Sequence, residues 1–345
     1  MAASGGAQPV AVIGAGVVGL TAAIELAERG AAVTVFYDPT SVAPASWAAP
    51  ALFTPYPGPD EARFRWWSER SLARLNAIAA EQGPESGVTT GELREYFYNP
   101  PTRRGWLDAL VAMRPLRPVP APCVEATTST RPHIDMVRYM PWLRGRAEAL
   151  GVRFVQRRVK SIDGLAREGW GRVIDCAGVG ARELAGDALV KPMHGQVVHV
   201  PNDIGLTYSL HDDASNPACP GKVAYVFVFR DRLVLGGTFD AGREDAGSDA
   251  PAVKGILERC RGLLRLDGHP GWERLGRSGR AEVRVGVRPT RGGEGAFEWT
   301  RVEREERAGG AVVVHNYGHG RSGASFSWAT AEEAADLALV GGAAE

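Results

Sequence analysis

The fold of this chain is decided by a stretch near its start that reads Val10-Ala11-Val12-Ile13-Gly14-Ala15-Gly16-Val17-Val18-Gly19. The apolar run before the first glycine predicts a short buried strand of a parallel sheet. Residues 20–29 place their apolar side chains on one face of a helix, and Gly30 is a suitable stop signal. Residues 31–37 predict a second strand. Strand, glycine turn, helix and strand therefore follow one another within about 30 residues, as in a βαβ unit.

The three glycines of this stretch have the spacing that a dinucleotide site requires. Gly14 allows the tight turn, Gly16 lets the backbone approach a pyrophosphate, and Gly19 lets the helix pack on the strand. The first helical turn, with Ala15, Val17 and Val18, offers free N–H groups to phosphates. Asp38, 24 positions after Gly14, can accept from ribose hydroxyls. A ligand-free βαβ unit is the alternative reading of the same pattern.

Composition excludes several classes of function. The 345 residues include 40 basic and 40 acidic side chains, so the net charge is zero and a nucleic-acid partner is not expected. The four cysteines lie far apart without a CxxC motif, which argues against a metal centre and favours a reducing compartment. Residues 10–24, the most apolar stretch, are too short for a typical membrane span of about 20 residues. We therefore expect a cytoplasmic protein with no membrane partner.

The rest of the chain alternates between helical and extended patterns. Helices are predicted over residues 62–80, 134–150, 251–266 and 326–340. Strands are predicted over residues 87–98, 154–162, 172–175, 197–200, 223–229, 233–235, 283–287, 301–305 and 312–316. Residues 39–59 and 100–122 are rich in proline and are predicted to be loop and surface excursion. A second glycine turn precedes the last helix and suits a further part of a long cofactor; it contains Gly318, Gly320 and Gly323.

Five motifs along the chain resemble those of the D-amino-acid oxidase family, and they stand in that family's order. His315-Asn316-Tyr317-Gly318-His319-Gly320-Arg321-Ser322-Gly323 is similar to the family's C-terminal signature, and Gly286-Val287-Arg288-Pro289-Thr290-Arg291 to its substrate-arginine motif. The segments at 175–181 and 195–197 resemble its middle flavin-domain motifs. Leu235-Gly236-Gly237-Thr238, with Tyr225 eleven residues before Gly236, resembles its active-site sheet. D-aspartate oxidases share nearly all of these motifs.

The resemblance implies an oxidase that binds FAD noncovalently. A hydride passes from the substrate α-carbon to the flavin, the imino acid hydrolyses to a 2-oxo acid and ammonia, and O2 is reduced to peroxide. The leading interpretation is a D-amino-acid oxidase, whose partners are an amino acid and O2. Alternatives are a same-fold oxidase of glycine, a D-imino acid, D-Asp or D-Glu, or a specialised biosynthetic amine. A flavoprotein without turnover and an NAD-dependent dehydrogenase are further alternatives.

The resemblance also assigns roles to residues of this chain. Arg288 matches the arginine that pairs with the substrate carboxylate, and Tyr225 the tyrosine whose hydroxyl reaches it. Arg321 occupies the position whose backbone carbonyl accepts from the substrate amine. His319 is expected to be structural. The predicted cofactor-binding residues are Gly14, Ala15, Gly16, Val17, Val18, Gly19, Asp38, Ala48, Ala49, Leu52, Val159, Cys176, Gly178, Arg288, Gly318, Gly320, Arg321, Gly323, Ala324 and Ser325.

The chain departs from the family pattern at four places. Pro50 stands in the usually glycine-rich flavin loop and removes an N–H donor. Gly221 stands where mammalian members have a lid tyrosine, and residues 292–299 look like an insertion. Arg321 replaces a small residue. Pointing inward, Arg321 would with Lys222 favour a substrate with a second anionic group; pointing to solvent, it would not.

The order of the motifs predicts an α/β (α+β two-domain) fold, with a Rossmann-like FAD-binding domain and an antiparallel-sheet substrate domain. Residues 1–55, 140–195 and 285–345 are assigned to the FAD-binding domain. Residues 56–139 and 196–284 are assigned to the substrate-binding domain. The active site is expected between the two domains, and a homodimer is left open.

Overall fold

The computed structural model describes residues 9–40, 44–56, 58–102, 105–292 and 299–340. Most of the expected insertion at residues 292–299 lies outside these ranges. Where the chain re-enters the described part at Trp299, its backbone N–H donates to the Arg291 carbonyl at 2.8 Å. The two ends of the insertion therefore meet at one place.

The described chain contains both helices and strands from its first part to its last. The helices are α1 (Val17–Glu28), α2 (Ala45–Ala48), α3 (Glu61–Gln82), α4 (Gly105–Leu110), α5 (Met136–Ala149), α6 (Ile162–Arg167), α7 (Ala181–Leu184), α8 (Ala250–Leu266) and α9 (Gly323–Leu339). The strands are β1 (Val10–Ile13), β2 (Val33–Tyr37), β3 (Ala51–Leu52), β4 (Val88–Phe97), β5 (Arg114–Pro115), β6 (Glu125–Ile134), β7 (Arg153–Gln156), β8 (Arg172–Asp175), β9 (Val190–Pro201), β10 (Ser209–Asp212), β11 (Tyr225–Phe229), β12 (Arg232–Gly236), β13 (Asp240–Ala241), β14 (Glu282–Arg291), β15 (Arg301–Glu306) and β16 (Val312–Tyr317).

The first sheet has six strands in the order β15-β16-β8-β1-β2-β7. Its strands pair in parallel, except that β15 pairs antiparallel with β16 at one edge. Strand β1 is buried along its whole length, as its uninterrupted apolar run predicts. Helix α1 packs beside α9, and the Thr21 hydroxyl bridges them by donating to the Ser327 carbonyl at 3.0 Å. This sheet therefore brings the first and last parts of the chain together.

The second sheet has ten strands, with the path β13-β9-β12-β11-β10-β4-β6-β3, while β14 pairs with β9 and β5 with β6. Strand β14 runs antiparallel along β9 from Glu282 opposite His199 to Arg291 opposite Val190. Most neighbours are antiparallel, but β10 pairs in parallel with β4. The expected antiparallel sheet is therefore present, with one parallel junction that the sequence did not predict.

The predicted α/β class with two unlike sheets is confirmed, and most predicted elements are present within a few residues. Three local predictions were wrong. Residues 154–162 do not form one strand, because β7 ends at Gln156 and Ser161 caps α6 by accepting from Gly164 N at 3.1 Å. Strand β6 was missed, since its residues are mostly polar. Residues 39–59 contain α2 and β3 as well as loop.

The two sheets take their strands from interleaved parts of the chain. The six-stranded sheet uses segments within residues 10–37, 153–175 and 301–317, and the ten-stranded sheet uses segments within 51–134 and 190–291. The predicted boundaries at residues 195 and 284 fall inside β9 and β14. Because a boundary inside a strand would cut a hydrogen-bonded ladder, we propose that these domain boundaries lie before β9 and after β14.

Candidate active site

One large cavity of about 1680 Å³ is lined by elements of both sheets. This volume exceeds the roughly 300–1000 Å³ of an ordinary small-molecule pocket. Its wall includes the first glycine turn, the end of β8, strands β11 and β14, and the turn before α9. A cavity of this size and extent has room for a long cofactor together with a small substrate.

The first glycine turn has the geometry that the sequence motif predicts. Gly14 has φ +105°, and a Cβ there would lie 2.5 Å from the Cys176 carbonyl oxygen. Gly19 does not line the cavity. A Cβ at Gly19 would overlap the Gly14 carbonyl, so the lack of a side chain there lets α1 pack on the turn. The Val17 N–H at the start of α1 donates to the Ser46 hydroxyl at 3.0 Å. The turn is therefore a concave stretch of backbone, and side chains in place of its glycines would fill that space.

Asp38 lies on the cavity wall at the end of β2. Its Oδ1 accepts from the backbone N–H and the hydroxyl of Thr40, at 2.9 and 2.6 Å. These two hydrogen bonds, helped by Arg158 with Nε 3.8 Å from Oδ2, lower the pKa of this carboxyl. Asp38 is therefore ionised at neutral pH, which suits an acceptor for ribose hydroxyls. Val159 lines the same end of the cavity.

The second glycine turn lies on the cavity wall between β16 and α9. Gly318 and Gly320 have φ +80° and +52°, and a Cβ on Gly318 would lie 2.7 Å from the Arg291 Cβ. Two serines near the start of α9 hold the segment that follows β3: Ser322 Oγ accepts from Tyr56 N at 2.9 Å and Ser325 Oγ from Thr54 N at 3.2 Å. The expected flavin loop and this turn are therefore joined.

Arg288 of β14 points across β9 into the cavity. Its Nη1 donates to the Thr238 carbonyl at 3.3 Å, and its guanidinium carbon lies 4.7 Å from the centre of the Phe239 ring. The guanidinium passes over Gly195, where a Cβ would lie 2.6 Å from both Cζ and Nη2. Gly195 was expected to belong to a flavin-domain motif. It lies instead in the ten-stranded sheet, where it makes room for Arg288.

Tyr225 of β11 is buried and lines the same cavity. Its ring passes Gly236 and Gly237, and a Cβ on Gly237 would lie 2.6 Å from its hydroxyl oxygen. Phe227 stacks on the ring with a centroid distance of 4.5 Å. Burial raises the pKa of Tyr225 to about 12, although nearby Arg288 acts in the opposite direction. The phenol is therefore a neutral hydrogen-bond donor at neutral pH.

Arg321 lies at the mouth of the cavity, where its guanidinium carbon is 3.7 Å from the centre of the Tyr56 ring. The same carbon is 5.8 Å from the centre of the Phe239 ring, on which Arg288 also packs. The Arg321 side chain is nevertheless exposed to solvent. Lys222 is exposed and does not line the cavity, so it does not join Arg321 on the cavity wall as the sequence suggested.

His319 is buried beneath the second glycine turn, with Nε2 3.1 Å from the Thr330 hydroxyl. Burial lowers its pKa to about 3, so the imidazole is neutral over the physiological range. A neutral imidazole bonded to the helix that follows it, α9, agrees with the expected structural role.

Nearly all of the predicted site residues line the cavity. It is lined by Gly14, Ala15, Gly16, Val17, Val18, Asp38, Ala49, Leu52, Val159, Cys176, Gly178, Tyr225, Arg288, Gly318, Gly320, Arg321, Gly323, Ala324 and Ser325. Gly19 and Ala48 are not on the wall, and Ala48 packs where Gly286 leaves space. Pro50, the first departure from the family pattern, does line the cavity.

Several polar and aromatic wall residues were missed by the sequence reasoning. They are Ser46, Phe239, Glu95, Arg131 and His211. The last three lie on neighbouring strands, β4, β6 and β10, and only strand pairing brings them together. Alternation along β4 could have placed Glu95 on one face, but not beside the other two.

The described ranges contain neither a metal-binding cluster nor a helix suited to cross a membrane. No group of three or more His, Cys, Asp or Glu side chains is placed to hold a metal ion there. No helix within those ranges combines the length and the apolar character that a membrane crossing requires.

Comparison with known proteins agrees with this geometry. The family model described as FAD dependent oxidoreductase matches residues 9–337. A D-amino-acid oxidase from Rubrobacter xylanophilus is 36% identical over 330 residues, covering 95% of this chain and 94% of that protein. The human D-aspartate oxidase is 30% identical over 347 residues, with coverage of 95% and 94%. The crystal structure of glycine oxidase from Geobacillus kaustophilus has a TM-score of 0.71 at 19% identity, covering 96% and 95% of the two chains, and shows the fold alone. The chain therefore belongs to the family of FAD-dependent oxidoreductases that includes the D-amino-acid oxidases.

Proposed function

We propose that this protein is an FAD-dependent D-amino-acid oxidase, which converts a D-amino acid to a 2-oxo acid and ammonia while O2 is reduced to H2O2. The observation that carries the proposal is the meeting of Arg288 and Tyr225 in the cavity that both glycine turns enter. The relative from Rubrobacter xylanophilus, named D-amino-acid oxidase, supports this choice of substrate.

The residues of the cavity suit FAD. The cradle at Gly14 and Gly16, with the N-terminus of α1, would hold the pyrophosphate, because backbone N–H groups and the helix dipole favour phosphate there. Asp38 would accept from the ribose. Gly318, Gly320 and the start of α9 would face the isoalloxazine ring, since they line the cavity and the two glycines carry no side chain. When bound, FAD supplies the acceptor for the substrate hydride.

Arg288 and Tyr225 would bind the substrate carboxylate. A guanidinium can donate two parallel hydrogen bonds to a carboxylate, and the neutral phenol can donate a third. The Phe239 ring and the Thr238 carbonyl hold the guanidinium in place before the substrate arrives. The carboxylate would thereby fix the position of the α-carbon within the cavity.

The backbone carbonyl of Arg321 would accept from the substrate amine. An amine that is neutral when it binds needs no general base, and His319 is not available as one because it is buried and bonded to Thr330. Arg321 itself would contribute a positive charge at the mouth of the cavity, where it can attract any amino acid through its carboxylate.

The experiment that tests this proposal is a panel of purified-enzyme assays for peroxide. D-amino acids, L-amino acids, glycine and D-imino acids would be compared. D-amino acids should be oxidised and L-amino acids should not. Turnover of glycine or D-Pro in preference to D-amino acids would favour the alternative of a same-fold oxidase acting on another amine. Peroxide from L-amino acids with none from D-amino acids would contradict the proposal.

Cellular location and oligomeric state stay predictions. None of the four cysteines, all within the described ranges, forms a disulfide, which supports a cytoplasmic location. Trp66 is exposed and offers apolar surface that a homodimer could bury. Fractionation of cells and light scattering of the purified protein would test the two predictions.

A further inference from the structure

A cluster of three polar side chains forms one part of the cavity wall that the carboxylate site does not use. Its members are Glu95 on β4, Arg131 on β6 and His211 on β10, and we call it the polar wall. Arg131 Nη2 donates to Glu95 Oε2 at 2.5 Å, and Arg131 Nε donates to Ser129 Oγ at 2.7 Å. His211 Nδ1 lies 3.9 Å from Glu95 Oε1. The polar wall is thus an ion pair with a histidine beside it.

These groups are too deeply buried to be an ordinary surface ion pair. The side chains of Arg131 and Glu95 are 5% and 13% exposed. A buried ion pair gains little stability over an apolar replacement, so its polar atoms need an explanation. Among the described residues, the buried Nδ1 of the His211 side chain has no hydrogen-bond partner, and Glu95 Oε1 accepts no hydrogen bond. Glu95 Oε1 and the His211 imidazole therefore keep unused hydrogen-bonding capacity in residues that line the cavity.

Strand pairing places the polar wall next to the proposed carboxylate site. His211 lies directly opposite Tyr225 across β10 and β11, and Glu95 lies opposite His211 across β4 and β10. Residues opposite each other on paired strands point to the same face of the sheet. With strands about 4.8 Å apart, His211 is one spacing and Glu95 two spacings from Tyr225. A substrate held by its carboxylate at Tyr225 would therefore place its side chain within reach of the wall.

We infer that the polar wall binds the substrate side chain and selects D-amino acids that carry a neutral hydrogen-bonding group, with the carboxamides D-Asn and D-Gln as the best fit. This inference rests on the proposed function. The charges of Glu95 and Arg131 cancel, so this ion pair presents both an acceptor and donors without a net charge of its own. A carboxamide offers both a donor and an acceptor. An aliphatic side chain would leave the buried polar groups unpaired, and a carboxylate would lie beside Glu95.

The test uses three substrates of nearly the same shape, D-Asn, D-Asp and D-Leu, with D-Gln and D-Lys in addition. We expect kcat/KM for D-Asn to exceed that for D-Leu by about tenfold or more, which is the usual effect of one hydrogen bond to a charged group. D-Asp and D-Lys should fall below D-Asn. Values within twofold for D-Asn and D-Leu, or a preference for D-Asp or D-Lys, would overturn the inference.

Variants then assign the selectivity to the wall. H211F keeps the ring volume and should lower the ratio of D-Asn to D-Leu at least threefold, mainly through KM. E95Q keeps the shape and an acceptor for Arg131, and it should raise activity with D-Asp relative to D-Asn. H199F is the matched control, because His199 lies in the same sheet but not on the cavity wall.

The outcomes separate this inference from the proposed function. If no D-amino acid yields peroxide, the proposed function fails. If kcat/KM for D-Leu equals that for D-Asn, and H211F and E95Q leave this ratio unchanged, only the inference fails. Should E95Q not fold, H211F and the wild-type panel still decide, since neither depends on replacing a buried ion-pair member.

Discussion

Substitution of Gly195 by alanine tests the placement of Arg288 without changing any group that would touch the substrate. A Cβ at this position would lie 2.6 Å from both Cζ and Nη2 of Arg288. The nearest guanidinium atom, Nη1, would lie only 2.0 Å away. Carbon atoms pack at about 3.5 Å, so the guanidinium must move by roughly 1.5 Å. A misplacement of that size can lower the rate about 100-fold. We therefore expect kcat/KM of G195A with a D-amino acid to fall about 100-fold, mainly through KM.

The assay for G195A combines steady-state peroxide production with the flavin content and melting temperature of the purified variant. Flavin content should be unchanged, because Gly195 lies under the guanidinium and not on the glycine turns. The matched control is G262A, since nothing lies within 4 Å of a Cβ at this position in helix α8. G262A should keep kcat/KM within twofold. If G195A also kept kcat/KM within twofold, Arg288 could not be the carboxylate-binding group in this geometry.

Four further predictions address the site and its stability. R288K, which loses the planar fork, should lower kcat/KM by roughly 10- to 150-fold in the peroxide assay, and a smaller loss would argue against two-point binding. Y225F should raise KM about tenfold with an unchanged melting temperature, because the ring packing stays; an unchanged KM would remove the hydroxyl from the site. R321A should lower kcat/KM by a similar factor for all substrates, since the charge of Arg321 lies at the exposed mouth of the cavity. A larger loss of kcat/KM with D-Asp than with D-Ala would instead support the hypothesis of a substrate with a second carboxylate. Burial lowers the pKa of His133 to about 4, below its unfolded value of about 6.5, so its contribution to stability is complete above pH 6.5 and is lost as the pH falls toward 4. Urea unfolding at pH 5 should show a loss of about 2 kcal/mol for this histidine relative to pH 8, and H133N should lack that share of the loss.

The sequence was sufficient for the parts of the fold that depend on local pattern. The apolar run of β1, the glycine turn and α1 follow from the first 30 residues. Apolar side chains there indicate burial, and glycines indicate where the backbone needs conformational freedom. Strand β6 was missed because its polar residues and Pro132 do not alternate in the manner of a half-buried strand. The parallel pairing of β10 with β4 was also missed, since pairing between distant strands leaves no local signal.

The candidate site divides in the same way. Gly14, Gly16, Gly318 and Gly320 could be predicted because a turn that approaches a phosphate or a ring needs glycine at fixed spacing. The contact between Gly195 and Arg288 could not be predicted, because the two residues lie on different strands. Only the folded structure shows that the Arg288 guanidinium occupies the place where a Cβ of residue 195 would be. The polar wall could likewise not be predicted from the sequence, since Glu95 and His211 become neighbours only when β4 pairs with β10.

The most direct test of the account is the visible absorption spectrum of the purified protein with FAD under anaerobic conditions, before and after a mixture of D-amino acids is added. The bands of oxidised flavin should disappear, and admitting air should restore them with formation of peroxide. R288K should reduce the rate of this loss. Bands that persist with every D-amino acid, in protein that retains its flavin, would contradict the proposed oxidase.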